Sequence, residues 1–172
     1  MRFFEDSKYY SLKKSTYINL RWIGIIGQLI SVYLVHFYFG FKFDFFLTNL
    51  AIFFGVLSNL YLIFIYKKTQ LLDRSALLFL LIDIVQLTVL IYLTGGAKNP
   101  FIIFIIIPSI FASTNLGLKT NLLIVLITCI MIIFLTFYAS DLPYPLATHF
   151  HISDYIYYSI PVSLIIALIF LN

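Results

Sequence analysis

Charge is what this chain has least of. Of its 172 residues only 10% are Asp, Glu, Lys or Arg, while 62% are apolar and the mean hydropathy is +1.04. A soluble domain carries about 25% charged and about 45–50% apolar residues. The polar surface needed to cover a body in water is missing, which argues against a soluble globular enzyme, a nucleic-acid binder or a disordered tail. Cysteine is nearly absent too. Cys129 stands alone in an apolar run, so one chain can form no disulfide framework and holds no CxxC motif. The start does not read as a secretory signal: Arg2 to Arg21 is long and polar, and no A-x-A-like site follows the first apolar stretch.

What the chain does have is long apolar runs. A helix needs about 20 mostly apolar residues to cross a hydrocarbon core of roughly 30 Å. Six stretches reach or approach this: Trp22 to Phe39, Phe45 to Tyr66, Ala76 to Leu93, Phe101 to Leu116, Leu122 to Ala139 and Tyr155 to Leu171. None alternates apolar with polar as a membrane barrel strand would. The expected fold is an all-α membrane protein, a bundle of six transmembrane helices spanning 22–172 after a cytoplasmic segment 1–21. With the N-terminus cytoplasmic, that side holds Arg2, Lys8, Lys13, Lys14, Arg21, Lys67, Lys68, Arg74 and Lys119, and the other holds only Lys42 and Lys98. The split is 9 against 2, a strong positive-inside signal that places both termini in the cytoplasm. Membrane topology therefore accounts for the net charge of +4, and no nucleic-acid partner is expected. The chain stops at Asn172 where its sixth run ends, which suggests a truncated chain with a missing cytoplasmic part.

Polar groups inside the runs need a reason. Asp83 lies near the middle of the third run, where an unpaired carboxylate costs at least ~2.5–3.5 kcal/mol on insertion scales. Gln86, three residues on, projects from the same face. The pair are candidates for helix packing or for relaying a proton. Gln28, His36 and Asn59 add polar atoms to the first two runs; for Gln28 and Asn59 the simplest role is hydrogen bonding between helices. Bis-histidine haem would need a second intramembrane histidine at the depth of His36, and His149 and His151 fall in an outer loop. Two histidines in His149-x-His151 do not make a metal site. Gly27 and Ser31, and Ser109, Ser113 and Gly117, recur at intervals of four, a pattern that lets helices approach closely. Pro108 and Pro161 should bend their helices. No nucleophile stands with a base, and no ligand set clusters, so a membrane hydrolase is disfavoured.

Between the third and fourth runs the chain reads Thr94-Gly95-Gly96-Ala97-Lys98-Asn99-Pro100-Phe101. A glycine can take the left-handed conformation that closes a helix, Asn99 can cap the next one, and Pro100 suits its first position. A tight hairpin requires nothing more. The same geometry would also suit a planar ring with two carbonyls and an apolar tail. Phe101 offers an aromatic face, Asn99 offers donor and acceptor, and the start of a helix offers N–H groups.

The segment Gly95 to Phe101 matches, at every fixed position, the GGxxNPF heptapeptide of the RegB/PrrB/ActS family of bacterial redox-responsive sensor histidine kinases, and the chain resembles that family. Ile82-Asp83-Ile84-Val85-Gln86-Leu87 with Leu93-Thr94, and Leu20-Arg21-Trp22 with Gly27-Gln28-Leu29, are similar to its third and first spans. The resemblance extends over roughly Leu20 to Ala167. It implies a six-helix domain of the bacterial inner membrane that senses the quinone pool, ubiquinone or menaquinone. Gly95, Gly96, Asn99, Pro100 and Phe101 would form the quinone-binding element. It further implies a homodimer, and a kinase portion that uses ATP, phosphorylates itself on histidine and passes the group to a response regulator. Oxidised quinone would hold that kinase down. The phosphoacceptor and ATP-binding residues are absent from these 172 residues, so no catalytic residue is expected here and the chain would be the input of such a kinase. The alternative is a small transporter or channel that uses Asp83 as its coupling group.

Overall fold

The computed structural model describes residues 12–138 and 154–171. Six α-helices are found among them: α1 (Lys14–Tyr33), α2 (Phe45–Phe64), α3 (Asp73–Leu93), α4 (Ile107–Asn115), α5 (Leu118–Tyr138) and α6 (Asp154–Leu171). α1 runs on as a π turn, Leu34–Tyr38, and α4 is preceded by a 3₁₀ stretch, Pro100–Ile106. A two-residue antiparallel pairing joins β1 (Leu12–Lys13) to β2 (Gln70–Leu71).

Four of the described helices are long and apolar enough to cross a membrane: Lys14–Tyr38, Phe45–Phe64, Asp73–Leu93 and Leu118–Tyr138. The stretches Pro100–Asn115 and Tyr158–Phe170 are apolar but shorter. The expectation of six spans is therefore met at full length by four. The fourth run falls short because its first seven residues wind as a 3₁₀ helix and only nine as α-helix. Pro108 sits in the first turn of α4. There the missing N–H costs no helical bond, so the proline marks the change of winding.

The first helix starts at Lys14, not at Trp22, and the boundary expected after residue 21 falls inside α1. The cause is an anchorage at this end of the bundle. Lys14 donates from Nζ to the carbonyls of Ile63 (3.2 Å) and Tyr66 (2.5 Å) at the C-terminus of α2, where orphaned carbonyls need donors. Its backbone N–H reaches Thr69 O at 3.1 Å. At the opposite end Asp44 caps α2 by accepting from Leu47 N at 2.9 Å.

α1 packs on α2, α2 on α3, α3 on α5, and α5 on both α4 and α6. Large apolar residues are buried between these faces, among them Leu62, Leu80, Ile84, Ile124 and Leu135. Others point outward: Phe46, Phe64 and Phe170 are 75%, 77% and 90% exposed. An apolar exterior of this kind suits a lipid solvent, not water.

Candidate ligand cleft

α1 and α3 both pack on α2, and they meet each other through side chains. Asp83, ten residues into α3, lies about 15 Å from the start of that helix, half of a ~30 Å hydrocarbon core. It is not alone there. Arg21 Nε and Nη2 donate to its Oδ1 at 2.9 and 2.6 Å, and Tyr17 donates its hydroxyl to Oδ2 at 2.5 Å. Arg21 Nη2 also reaches Ser58 Oγ on α2 at 2.7 Å. The guanidinium lies 5.5 Å from the Tyr17 ring centre and 5.8 Å from that of Phe79. One turn further along, Gln86 Nε2 donates to Gln28 Oε1 at 2.8 Å, with the reverse bond at 3.4 Å. Asn59 donates to Ile18 O at 3.4 Å. The roles expected of Gln28 and Asn59 are thus seen: they tie helices together.

Long polar side chains bridging α1 to α3 hold the two backbones apart. The space between them is a cleft of ≈ 590 Å³, within the ~300–1,000 Å³ range of small-molecule sites. Tyr17, Arg21, Asp83, Gln28 and Gln86 line it at the mid-membrane level; Asn99, Pro100 and Phe101 line it at the hairpin. Gly24, Gly27 and Ser31 form its α1 wall. A Cβ added at Gly24 or Gly27 would meet nothing within 4 Å. The close contact expected at Gly27 and Ser31 is therefore not made within the chain, because the Arg21 and Gln28 bridges keep α3 at a distance. In the other small-residue series, Ser109 is fully buried, and a Cβ added at Gly117 would meet the Asp73 carboxylate at 3.0 Å.

The hairpin divides its labour. Gly95 and Gly96 have φ of 115° and 57° and are buried; they shape the turn and do not line the cleft. Asn99, 7% exposed, caps the 3₁₀ stretch by accepting from Phe101 N at 2.9 Å. Its amide nitrogen donates to Thr94 O at 3.2 Å and Thr94 Oγ1 at 2.7 Å. Ile102 N bonds to Asn99 O at 3.0 Å. The free donors expected at this helix start are therefore already in use. Pro100 is exposed, and Phe101, half-buried, stacks on Phe104 with ring centres 5.8 Å apart.

His36 packs in an aromatic nest, stacked on Phe45 at 4.5 Å, with Nδ1 3.2 Å from Phe41 O. His149 and His151 lie outside the described residues. Among the described residues no group of three metal-binding side chains comes together.

Sequence reasoning missed Arg21 and Tyr17. Arg21 reads as a topological charge because it precedes Trp22 and an apolar run. A signal was present nonetheless: Tyr17, Arg21 and Gln28 are spaced by four and seven, so they share a helix face, and Asp83 demanded a cation at its own depth.

No family model matches the chain, and no solved structure matches it. It is 32% identical over 110 residues to the sensor histidine kinase RegB of Cereibacter sphaeroides. The chain is similar to one part of RegB. The match covers 63% of this chain, far more than the hairpin alone contributes, and spans 24% of the length of RegB. Its long apolar helices, four of them long enough to cross a membrane, are those of a multi-pass membrane protein.

Proposed function

We propose that this chain is the membrane sensor domain of a two-component redox-responsive kinase, and that it senses the quinone pool through the cleft whose mouth is the hairpin Gly95 to Phe101. The observation that carries the reading is the cleft itself, an apolar slot of ≈ 590 Å³ beside Phe101 with polar groups at its inner end. A quinone is a flat ring with polar edges and a lipid tail, and such a slot suits it.

In this reading all six runs cross the bacterial inner membrane with both termini cytoplasmic, a topology supported by the Lys and Arg distribution, 8 to 2 once Arg21, which pairs with Asp83 inside the bundle, is left out of the 9. The fourth run can serve despite its length. A 3₁₀ helix rises about 2.0 Å per residue, against 1.5 Å for an α-helix, so Pro100 to Asn115 extends about 27 Å. A homodimer, a kinase portion that uses ATP, and a response regulator complete the pathway outside this chain.

The 3₁₀ stretch packs against α3, α5 and α6. A ring wedged beside Phe101 presses α3 against the fourth run, and the shift is passed to α6. Such a change can be driven only if the oxidised and reduced rings differ in their preference between the two helix arrangements. To test the reading, purified protein is titrated with a short-chain quinone. Phe101→Ala should weaken binding about tenfold through lost stacking and lost apolar area. Equal affinity of wild type and variant would remove the hairpin from the site.

The transporter reading has less support. A coupling carboxylate must exchange its cargo, whereas Asp83 is held by Arg21 and Tyr17 through three bonds.

A further inference from the structure

We infer that Lys13, Lys67 and Lys68 form a site for the headgroup of an anionic phospholipid, at the end of the bundle where α1 begins and α2 turns into α3. The inference is independent of the quinone reading and asks only that the chain lie in a bilayer.

The three lysines are brought together by strand pairing. Lys13 precedes α1, whereas Lys67 and Lys68 follow α2. β1 runs antiparallel to β2 with Lys13 opposite Gln70, and the Lys14 N–H donates to Thr69 O. The first lysine therefore stands against the loop that carries the other two. The positive-inside rule asks only that basic residues lie on one side of the membrane. It does not ask that two distant segments be joined there.

The cations at this end have different duties. Lys14 is tied into the fold, on the carbonyls of Ile63 and Tyr66 and over the Tyr66 ring. It thereby covers the negative end of the α2 dipole, which would otherwise repel an anion beside it. Lys13, Lys67 and Lys68 are exposed, and among the described residues no hydrogen bond or ion pair engages their side chains. Asp73 is the only acidic residue among those described at this end. Its carboxylate lies at the turn between α4 and α5, where a Cβ added at Gly117 would meet it at 3.0 Å. The three ammonium groups are thus left without a counter-charge from the protein.

Charge alone would serve any anion, and the flanks of the loop select a lipid. Phe64 and Ile65 precede it, Leu72 follows it, and all three are exposed. A phosphate held by the lysines brings its acyl chains alongside these apolar side chains. Thr69 and Gln70, also exposed, supply a hydroxyl and an amide that can donate to phosphate oxygens. A zwitterionic headgroup carries its own cation and gains little from the cluster, whereas an anionic one gains from each lysine. Because α1 is one wall of the cleft, a lipid held here ties the start of that wall to the loop between α2 and α3.

The test is native mass spectrometry of the full chain, released from detergent micelles that hold equal amounts of phosphatidylglycerol and phosphatidylcholine with the same acyl chains. Wild type is expected to retain phosphatidylglycerol in preference. Lys13→Gln, Lys67→Gln and Lys68→Gln should each lower that preference about fivefold. The triple glutamine variant should lose it, and the corresponding triple arginine variant should keep it. Lys42→Gln removes an exposed cation at the opposite end of the bundle and should leave the preference unchanged. Inorganic phosphate added to the micelles should not displace the lipid. The substituted side chains are exposed, and helical circular dichroism checks that each variant is folded. Equal retention of the two lipids by wild type would overturn the inference. So would a fall with Lys42→Gln as large as that with Lys67→Gln, which would mark diffuse surface charge, or loss of the preference in the arginine variant. Displacement of the lipid by inorganic phosphate would assign the lysines to a free anion and overturn it too. Each of these outcomes leaves the quinone-sensing reading in place.

Discussion

The Arg21–Asp83 bridge makes a quantitative prediction about stability. Arg21 is 5% exposed at its side chain and holds Asp83 Oδ1 through two nitrogens at 2.9 and 2.6 Å. Asp83→Leu would strand a buried guanidinium with Ser58 Oγ as its remaining hydrogen-bond partner beside the Tyr17 and Phe79 rings. Breaking one side of a buried pair costs about 3–5 kcal/mol. Arg21→Met should cost somewhat less, because Asp83 keeps the Tyr17 hydroxyl and is partly exposed to the cleft. Replacing both together removes the desolvation cost as well as the attraction, and such swaps range from neutral to about 1–4 kcal/mol stabilising. The double variant should therefore be at least as stable as wild type, with a coupling energy of about 3 kcal/mol or more. The assay is reversible unfolding in mixed detergent micelles, followed by helical circular dichroism. Additive losses, with a coupling below about 0.5 kcal/mol, would mean that the two charges do not depend on each other and would refute the reasoning.

Four further outcomes can be checked. Gly95→Ala forces an L side chain to φ 115° and should cost about 1–2 kcal/mol in the same unfolding assay. Asn99→Asp keeps the acceptor for Phe101 N but loses both donors to Thr94, so it should retain the cap while Asn99→Ala loses about 0.5–2 kcal/mol more. Gly27→Leu fills open space; it should abolish quinone binding while thermal stability stays within about 0.5 kcal/mol of wild type. Asp44→Ala removes the cap of α2 and should cost about 1 kcal/mol.

The features that could be read in the sequence are local ones. The long apolar runs announce α2, α3 and α5 because length and hydropathy alone decide them. The hairpin was legible residue by residue: a left-handed Gly95, an Asn99 cap and Pro100 at the first helical position follow from backbone sterics. What escaped depends on the meeting of distant segments. Arg21 and Asp83 are 62 residues apart, and the positive-inside rule offers a sufficient reason for an arginine at that place. Gly27 and Ser31 have the spacing of a tight helix contact. Whether they touch a helix or border a space depends on how far Arg21 and Gln28 hold α3 away. Asn99 has the right chemistry for a ligand, and only the curvature of the loop brings Thr94 close enough to occupy it.

The 3₁₀ winding of Pro100–Ile106 has a mechanical consequence. Seven residues wound at three per turn are about 3.5 Å longer than the same residues at 3.6 per turn, and their first residue is turned by roughly 140° relative to the α-helical arrangement. Rewinding this stretch would combine a piston stroke with a twist. The stroke is within the few-ångström displacements by which helices act on one another across an interface, and Phe101, at the top of the coil, would sweep out of the slot as the spring shortened.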